Sequence, residues 1–326
     1  IPPGHFLLAT AAHGFQARLV EKDRTLAVEN SLPAGDGAHF CLFLPRPAPK
    51  NLRPLLLQLA MHTENGARHA QAALLCLPPP EDAYVRRVFG RSEFLQEPMR
   101  FLSTNGRGAM LRVPVAWDAP ASRYDAFLAA NFNPDFPEDR WVMFTRCRAW
   151  LVYQGFSQDI NLDCLQAFTL GEAESAAWRY KIPSGQGQHV QLTLEMQLVP
   201  GQNALRMTFT RHRAGGDSAR LADATPVRLI LRPDLENRSF HDVTKAFAGP
   251  EHQFRDAVRP APTGFVFRPD AHHGLGLAAS SGRFVPEAEW CYMVHHRQDA
   301  ERGQDPHGDL FSPGYFEISL LGGETV

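Results

Sequence analysis

The chain has 326 residues and a formal net charge of -2, with 33 Lys and Arg against 35 Asp and Glu. Hydrophobic residues make up 44% of it and charged residues 21%, which is typical of a globular protein and not of a disordered chain. Because no global field attracts the chain to phosphate backbones or anionic lipids, we expect neither nucleic acid nor a membrane as a partner.

Alternation of apolar and polar residues predicts β-strands along most of the chain. The pattern is clearest in "HVQLTLEMQLV" (189–199) and "NALRMTFT" (203–210), where every second side chain is apolar. The short "PGQ" at 200–202 makes these two runs a predicted hairpin. The other predicted strands, in chain order, are 13–20, 24–29, 38–44, 108–115, 141–153, 163–169, 176–182, 227–232, 264–268, 288–296 and 314–321.

Helical periodicity is scarce. Three stretches, 64–77, 122–132 and 240–247, place apolar residues at helical spacing and are predicted as short connecting helices. The segment "RAGGDSARLADAT" (213–225) is typical of a long surface loop. Many short strands with few helices predict an all-β fold of two large packed antiparallel sheets, and we expect it to form a single domain over 1–326.

Two Gly- and Pro-rich stretches are predicted as turns. "GLGLAA" (274–279) imitates a dinucleotide fingerprint, but it follows polar residues instead of a buried strand, so an ordinary Gly-rich turn is favoured. "NPDFPED" (133–139) supplies three acidic residues, yet its Pro, Asn and Asp are standard turn formers. No G-x-S-x-G nucleophile elbow occurs in the sequence.

The cysteines give no sign of a disulfide framework or a zinc site. They number five, lie far apart and never form a C-x-x-C pair. No stretch approaches the ~20 consecutive apolar residues that a membrane span requires. We therefore expect a soluble, cytoplasmic protein, and the absence of an initial Met suggests a trimmed chain or a processed fragment.

The most unusual stretch is "VHHRQDAERGQDPHGDLFSPGYFEISL" (294–320), which crowds His, Arg and carboxylates between turn-forming residues. His295, His296 and His307 lie near several carboxylates, which raises the question of a metal site. Adjacent His side chains in a strand point to opposite faces, so His295 and His296 are not expected to bind one ion. We predict no metal and no other cofactor.

Four ordered stretches resemble a known family: "DCLQAFTLGEAESAAWRYKI" (163–182), "LVPGQNALRMTFT" (198–210), "PVRLILRPDLENRSFHDVT" (226–244) and "WCYMVHHRQDAERGQDPHGDLFSPGYFEISL" (290–320). They resemble the N-terminal domain of bacterial and archaeal glycogen debranching enzymes of the amylo-α-1,6-glucosidase type. The resemblance is clear over about 160–326, and the "YHGLL"-like motif of the family is not found in residues 1–60. The residues that carry it most specifically are Leu231, Arg232, Pro233, Arg238, Phe240, His241, Glu301, Arg302, Gly303, Asp309, Leu310, Pro313, Gly314 and Phe316.

The resemblance implies a β-supersandwich of the galactose-mutarotase-like kind, which precedes an (α/α)-barrel catalytic domain in this family. The family's catalytic acid and base belong to that barrel, so no catalytic residue is expected in this chain, which ends at "GGETV" without a helical half. The implied role is to position branched α-glucan, such as glycogen or a limit dextrin, and to pack on the barrel. The residues expected at the substrate or at the domain interface are Arg238, His241, Glu301, Arg302 and Asp309.

Two other functions remain open at this point. One is an autonomous sugar epimerase of the mutarotase kind, with His241 as acid and Glu301 as base. The other is a carbohydrate-binding module without any catalytic partner.

Overall fold

A computed structural model describes residues 1–35, 37–47, 49–50, 53–63, 66–79, 86–96, 98–171 and 175–326. The chain divides into two compact units, Ile1–Val85 and Arg86–Val326, and each is described by itself. None of the helices in the described ranges is long and apolar enough to cross a membrane. The single domain over 1–326 stays a prediction.

The first unit contains two antiparallel sheets with a small apolar core of its own. A three-stranded sheet has the order β1-β5-β4, and a four-stranded sheet has the order β3-β2-β6-β7. Its core is built from side chains such as Phe15, Leu19, Phe43 and Leu57. The strands are β1 (Leu7–Ala11), β2 (Phe15–Glu21), β3 (Arg24–Asn30), β4 (Leu32–Pro33), β5 (His39–Phe43), β6 (Arg53–Thr63) and β7 (Gly66–Cys76).

The second unit is built on an eight-stranded antiparallel sheet. Its order is β22-β23-β18-β12-β11-β10-β9, with β13 pairing with β12 as well. The long central strands β12 and β18 pair with each other, for example Arg148 with Arg232. The strands are β9 (Arg100–Thr104), β10 (Met110–Pro114), β11 (Ala126–Asn131), β12 (Arg140–Tyr153), β13 (Phe156–Asp159), β18 (Val227–Ser239), β22 (Arg283–His295) and β23 (His307–Leu320).

Two smaller sheets belong to the same unit, a five-stranded one of order β17-β16-β15-β14-β8 and a three-stranded one of order β19-β20-β21. Their strands are β8 (Arg87–Gly90), β14 (Leu165–Leu170), β15 (Ala176–Gly185), β16 (Gln188–Leu198), β17 (Leu205–Arg211), β19 (Val258–Ala261), β20 (Gly264–Phe267) and β21 (Leu275–Ala278). The α-helices in the described ranges are α1 (Arg91–Gln96), α2 (Pro250–Gln253) and α3 (Arg297–Glu301).

One apolar core joins the sheets of the second unit. Every second side chain of β16, including Leu192, Leu194 and Met196, is fully buried, as the alternation in sequence predicts. Side chains of β18 and β23, including Leu229 and Phe316, enter the same core from the eight-stranded sheet. The predicted all-β antiparallel sandwich with a few short helices is therefore confirmed.

The three predicted helices are wrong, for different physical reasons. In the described part of 64–77, the Ala-rich run is β7, because its antiparallel pairing with β6 outweighs helix propensity. Most of 122–132 is β11, whose six residues are all buried, and a strand buried on both faces shows no alternation. The stretch 240–247 is irregular up to a short 3₁₀ turn at Ala246–Ala248.

The two turn predictions have different outcomes. Residues 133–139 form consecutive turns, in which Phe136 N–H donates to the Asn133 carbonyl. The predicted turn at 274–279 is instead mostly β21, which pairs with β20. The glycines hid this strand because they remove the side chains on which the alternation pattern depends.

The long loop at 213–225 is present as predicted, and the buried Arg211 at the end of β17 anchors it. One guanidinium nitrogen of Arg211 donates to the carbonyls of Thr225 and Leu320, and another donates to those of Leu221 and Ala222. A single side chain thus ties the loop to the last residue of β23. Backbone carbonyls that would otherwise lack a donor are satisfied in this way.

We expect Arg211→Ala to lower the free energy of unfolding by at least about 3 kcal/mol, because several carbonyls lose a charged donor at once. Urea denaturation of the purified chain measures the change. Arg206→Ala, on the exposed face of the same strand, is the control and should change the free energy by no more than about 0.5 kcal/mol. Equal effects of the two substitutions would contradict the anchoring role.

Candidate functional site

The polar stretch that begins at residue 294 folds into the end of β22, helix α3, a turn, and the start of β23. Helix α3 begins after His296, whose carbonyl accepts from the backbone of Asp299 and Ala300. It ends at Glu301, and two residues later Gly303, which has a φ of +70°, donates to the Ala300 carbonyl. A glycine in this left-handed conformation is a common helix C-terminus.

The carboxylate of Asp299 is completely buried. It accepts hydrogen bonds from Ser122 Oγ at 2.9 Å, from Arg123 N at 2.9 Å and from Arg123 Nε at 3.1 Å. Burial by itself would raise the pKa of Asp299, but these hydrogen bonds and the Arg123 charge outweigh it and lower the pKa below its ordinary value. Asp299 is therefore held as a carboxylate.

Arg123 connects three segments of the chain. Besides contacting Asp299, its guanidinium donates to the carbonyl of Asp305 at 2.9 Å and to that of His241 at 3.4 Å. Its own carbonyl accepts from Nη2 of Arg238 at 2.6 Å. The loop before β11, the end of β18 and the α3 turn consequently meet at one side chain.

Arg238 forms a buried, two-pronged ion pair with Glu236. The distances are 2.6 Å from Arg238 Nε to Glu236 Oε1 and 3.0 Å from Nη2 to Oε2. Burial would raise the pKa of Glu236, but the Arg238 charge and hydrogen bonds from Arg238 and Thr145 lower it. The two residues are two apart on β18, so both side chains lie on the face of the eight-stranded sheet opposite the core.

The same face carries further ion pairs along β18. Asp234, also completely buried, accepts from Arg146 Nε at 2.5 Å and from both Nε and Nη2 of Arg148. Arg232 pairs with Glu287 at 2.7 Å and with Glu289 at 2.8 Å. We call this side of the sheet, defined by Arg232, Asp234, Glu236 and Arg238, the polar face.

Asp309 holds the backbone of two separate segments. One carboxylate oxygen accepts from Met293 N at 2.9 Å and the other from Ala246 N at 2.8 Å. Met293 has a φ of +57°, a left-handed conformation that is strained for a residue with a side chain. In this arrangement three large side chains remain exposed, Phe247 at 82%, Tyr292 at 54% and Met293 at 62%. We call Phe247, Tyr292 and Met293 the apolar patch.

The five predicted site residues divide into two groups. Arg238 and Asp309 are buried and hydrogen-bonded within the chain, so they can act on a ligand only through what they position. His241, Glu301 and Arg302 are exposed. Arg123 brings the His241 and Arg238 end of β18 to the turn that follows α3.

The three exposed site residues differ in the groups that they contact. On the surface of α3, Glu301 Oε1 lies 3.6 Å from Arg297 Nε. The Nδ1 atom of His241 lies 3.5 Å from the Tyr124 hydroxyl, and their rings are 5.8 Å apart. Arg302 is exposed and forms no ion pair among the described residues.

Another buried carboxylate, Asp125, lies beside this cluster. It pairs with Arg112 Nη1 at 2.9 Å and with Arg100 Nε at 3.3 Å. Burial is the main cause of a lowered pKa at Arg112, and although Asp125 opposes it, the positive charges of Arg100 and Arg302 add to the lowering. Arg302 therefore lies within electrostatic reach of a site where arginines outnumber carboxylates.

Sequence reasoning missed Ser122, Arg123 and Asp299. The first two fell inside a wrongly predicted helix, and nothing distinguishes Asp299 from the other carboxylates of its stretch. The alternate positions of Glu236 and Arg238 in "LENRS" are a signal that could have placed both on one face.

No metal-ligating cluster of three or more His, Cys, Asp or Glu occurs among the described residues. His296 is buried whereas His295 is exposed, so the two point in opposite directions. His295 pairs instead with His307 across the strands, with ring centroids 5.3 Å apart.

The lowered pKa of Asp299 predicts a dependence of stability on pH. A carboxyl with a folded-state pKa below its unfolded value contributes stability above the unfolded pKa of about 4, and this contribution disappears as the pH falls further. We expect Asp299→Asn to be less stable than the unsubstituted chain at neutral pH and to lose less stability from about pH 5 to pH 3. In urea titrations, the stability of Ser122→Ala, which removes one hydrogen-bond donor to Asp299, should lie between that of Asp299→Asn and that of the unsubstituted chain. Parallel pH profiles would contradict the assignment.

The chain was compared with known proteins. A family model described as "Glycogen debranching enzyme N terminal" matches residues 100–326. The match includes all five predicted site residues and every strand from β9 onward, and it extends further toward the N-terminus than the resemblance seen in the sequence. No curated protein and no solved structure matches the chain. The matched residues make up more than half of the chain, which therefore belongs to the family of glycogen debranching enzyme N-terminal domains.

Proposed function

We propose that this chain is a non-catalytic domain of a glycogen debranching enzyme of the amylo-α-1,6-glucosidase type, which packs on a helical (α/α)-barrel catalytic domain and positions branched α-glucan for it. The observation that carries the proposal, given the family, is the exposed apolar patch held in place by the buried Asp309.

Single exposed apolar residues are ordinary, but the patch differs from them in two ways. Its residues are brought together from separate segments, because the same carboxylate binds the backbone of Met293 and of Ala246, the neighbour of Phe247. The left-handed conformation of Met293 costs about 1 to 2 kcal/mol, which the surrounding structure must offset. Strain that keeps an apolar side chain in solvent supports a role in contacting a partner.

The surroundings of the patch support a protein surface as that partner. Polar groups border it: Tyr292 donates to Glu251 at 2.5 Å, and Lys245 pairs with Asp305 at 2.8 Å. An apolar centre with a polar rim is the usual anatomy of a protein interface. The exposed Glu301 and Arg302 lie in the α3 segment, close in sequence to this rim, and extend the proposed contact.

The glucan part of the proposal rests on the group around His241. Tyr124, Phe240 and His241 bring their rings within 5.0 to 5.8 Å of one another. Aromatic rings can stack on sugar faces, and arginine and histidine can donate to sugar hydroxyls. His241 and Arg302 are therefore the side chains that we propose to contact α-glucan.

The epimerase alternative has less support. A general acid and base must face one substrate within hydrogen-bond reach, commonly inside a pocket. Glu301 lies on the outside of α3 beside Arg297, and both Glu301 and His241 are exposed side chains. A carbohydrate-binding module without a catalytic partner would leave the apolar patch without a role.

A cytoplasmic location is part of the proposal. All five cysteines are free thiols, and four of them are buried. This agrees with a reducing compartment, where disulfides rarely persist.

The patch is tested by Phe247→Ser. In the isolated chain we expect a change in unfolding free energy within about 0.5 kcal/mol, because the ring is largely in solvent. In a debranching enzyme containing this domain we expect kcat/KM to fall about tenfold or more, since an apolar anchor at an interface typically contributes above 1 kcal/mol. Phe156→Ser, at an exposed ring of β13, is the matched control. Unchanged debranching kinetics would contradict the interface.

Arg302→Ala tests the polar part of the same proposal. Its melting temperature as an isolated chain should match the unsubstituted chain, while debranching by the intact enzyme should weaken, because a charge-assisted contact to a partner or glucan is lost. Arg297→Ala, also on α3 but paired only with Glu301 among the described residues, is the control and should leave kinetics nearly unchanged. A large loss of melting temperature with normal catalysis would make Arg302 a structural residue.

The non-catalytic role predicts that the purified 326-residue chain releases no glucose from a limit dextrin. The physical reason is that the proposed catalytic carboxylates belong to the helical domain. A coupled glucose assay measures the release, and any release above that of heat-inactivated chain would contradict the role.

A further inference from the structure

Two arginines of neighbouring strands point away from the apolar core of the second unit. Arg112 lies on β10 between Leu111 and Val113, which are both buried in that core, so its side chain emerges on the opposite face. On β9, Arg100 lies two residues from Leu102, the residue that is opposite Arg112. Diagonal neighbours of this kind share a face of the sheet, and long side chains at such positions can meet.

Both guanidinium groups approach the same oxygen atom of one carboxylate. Arg112 Nη1 lies 2.9 Å and Arg100 Nε 3.3 Å from Oδ1 of the buried Asp125. The other oxygen, Oδ2, accepts from the backbone of Ala121 at 2.8 Å and of Ser122 at 3.1 Å. One arginine is enough to balance the charge of one carboxylate, so the second arginine is in excess.

The hydrogen-bond donors of these two arginines outnumber the acceptors around them. Arg112 Nη1 is shielded from solvent, and because its N–H bonds do not point at Asp125, it has no hydrogen-bond partner in the described part of the chain. A guanidinium carries five N–H donors, and Arg100 uses only Nε in a hydrogen bond to a described residue. A buried donor without an acceptor is rare in folded proteins. These donors favour an acceptor that comes from outside the chain.

A third arginine adds its charge to this group. Arg302 directly follows α3, is exposed and forms no ion pair among the described residues. Burial is the main cause of the lowered pKa of Arg112, and the positive charges of Arg100 and Arg302 lower this pKa further. The three guanidinium groups are therefore close enough to repel one another.

The charges of this group do not balance among the described residues. Asp125 compensates one of the three arginines, whereas Asp299 is already paired with Arg123. Of three positive charges one is thus compensated and two remain. Because the side chains of Arg100 and Arg112 are each only 20% exposed, salt screens their charges less than it screens charges on an open surface.

We infer that Arg100, Arg112 and Arg302 form a binding site for a phosphate dianion, either free or carried by a sugar as a monoester. A phosphate monoester has a charge of about −1.5 to −2 at pH 7, which matches the two positive charges that remain. It also presents three acceptor oxygens, and the planar donor fork of arginine suits them. A carboxylate has a single charge and two oxygens, and an uncharged sugar would leave the excess charge without a counterpart.

A phosphate site goes beyond the proposed function, because neutral α-glucan carries no charge for the site to bind. The site shares Arg302 with the proposed glucan contact, and a sugar phosphate would fit both roles. Binding of small anions is measured on the 326-residue chain without a debranching assay. A failure of the phosphate site is therefore distinguishable from a failure of the proposed function.

The test compares glucose 6-phosphate, inorganic phosphate and glucose 6-sulfate by isothermal titration calorimetry of the 326-residue chain at constant ionic strength. We expect both phosphates to bind. Glucose 6-sulfate has the same tetrahedral group with one negative charge, and it should bind about tenfold or more weakly than glucose 6-phosphate. Tighter binding of glucose 6-phosphate than of inorganic phosphate would identify a sugar monoester as the ligand, and equal binding would identify free phosphate.

Substitutions locate the binding on the protein. Arg302→Gln should weaken the binding of both phosphates about tenfold and leave the melting temperature unchanged. Arg297→Gln, at another exposed arginine of α3 that is paired with Glu301, is the matched control and should bind as the unsubstituted chain does. Arg112→Lys keeps the positive charge beside Asp125 but removes the donor fork, so it should also weaken binding about tenfold.

Three results would overturn the phosphate site. The first is no binding of either phosphate at millimolar concentration, and the second is equal binding of glucose 6-sulfate and glucose 6-phosphate. The third is an equal loss of binding in Arg302→Gln and Arg297→Gln, which would mean that the anion responds to surface charge in general and not to this group of arginines.

Discussion

The carboxylate of Asp299 has no contact with solvent, and the region around the predicted site depends on the way its charge is balanced. A buried carboxylate is tolerated only with charged or hydrogen-bonding partners, and here Ser122 and Arg123 supply them. The backbone carbonyl of Arg123 accepts a hydrogen bond from the guanidinium of Arg238, and Arg238 in turn forms an ion pair with Glu236. Because removing Arg123 or Arg238 leaves a buried carboxylate without its charged partner, the loop before β11, the end of β18 and helix α3 must adopt their positions together.

The eight-stranded sheet shows two opposite ways of stabilising a strand. On the core side, β18 contributes Leu229 and Leu235 to the apolar core. On the polar face the same strand relies on Asp234 and Glu236, each paired with arginine. Apolar packing adapts to many shapes, whereas an arginine pair requires defined directions, so the polar face is the side that can hold loops in one geometry.

The sequence predicts strands well where one face of the strand is buried and the other is exposed to solvent. The alternation in β16 and β17 is of this kind, and both strands lie where the pattern places them. It fails at β11, which is buried on both faces, and at β7, where an Ala-rich segment is a strand only because β6 lies beside it. These are long-range effects that no local window contains.

In the candidate site, too, some features could be predicted from local sequence and others depend on long-range contacts. His241, Glu301 and Arg302 are exposed polar residues in a turn-rich stretch, and the sequence could indicate them. The left-handed conformation of Met293 and the double hydrogen bond to Asp309 depend on residues from three separated segments, so local sequence carries no sign of them.

The pairing of the central strands has a consequence for how the chain reaches this structure. Arg146 and Asp234, which meet across β12 and β18, are 88 positions apart in sequence, and β18 must in turn find β23 near the end of the chain. Sheets assembled from such distant partners form slowly, because the closure of long loops precedes any gain from the contacts. The charged residues of the polar face remain unpaired during that interval, and they keep the unassembled strands in water instead of in aggregates. The ion pairs that stabilise the finished sheet thus also protect the chain before the sheet exists.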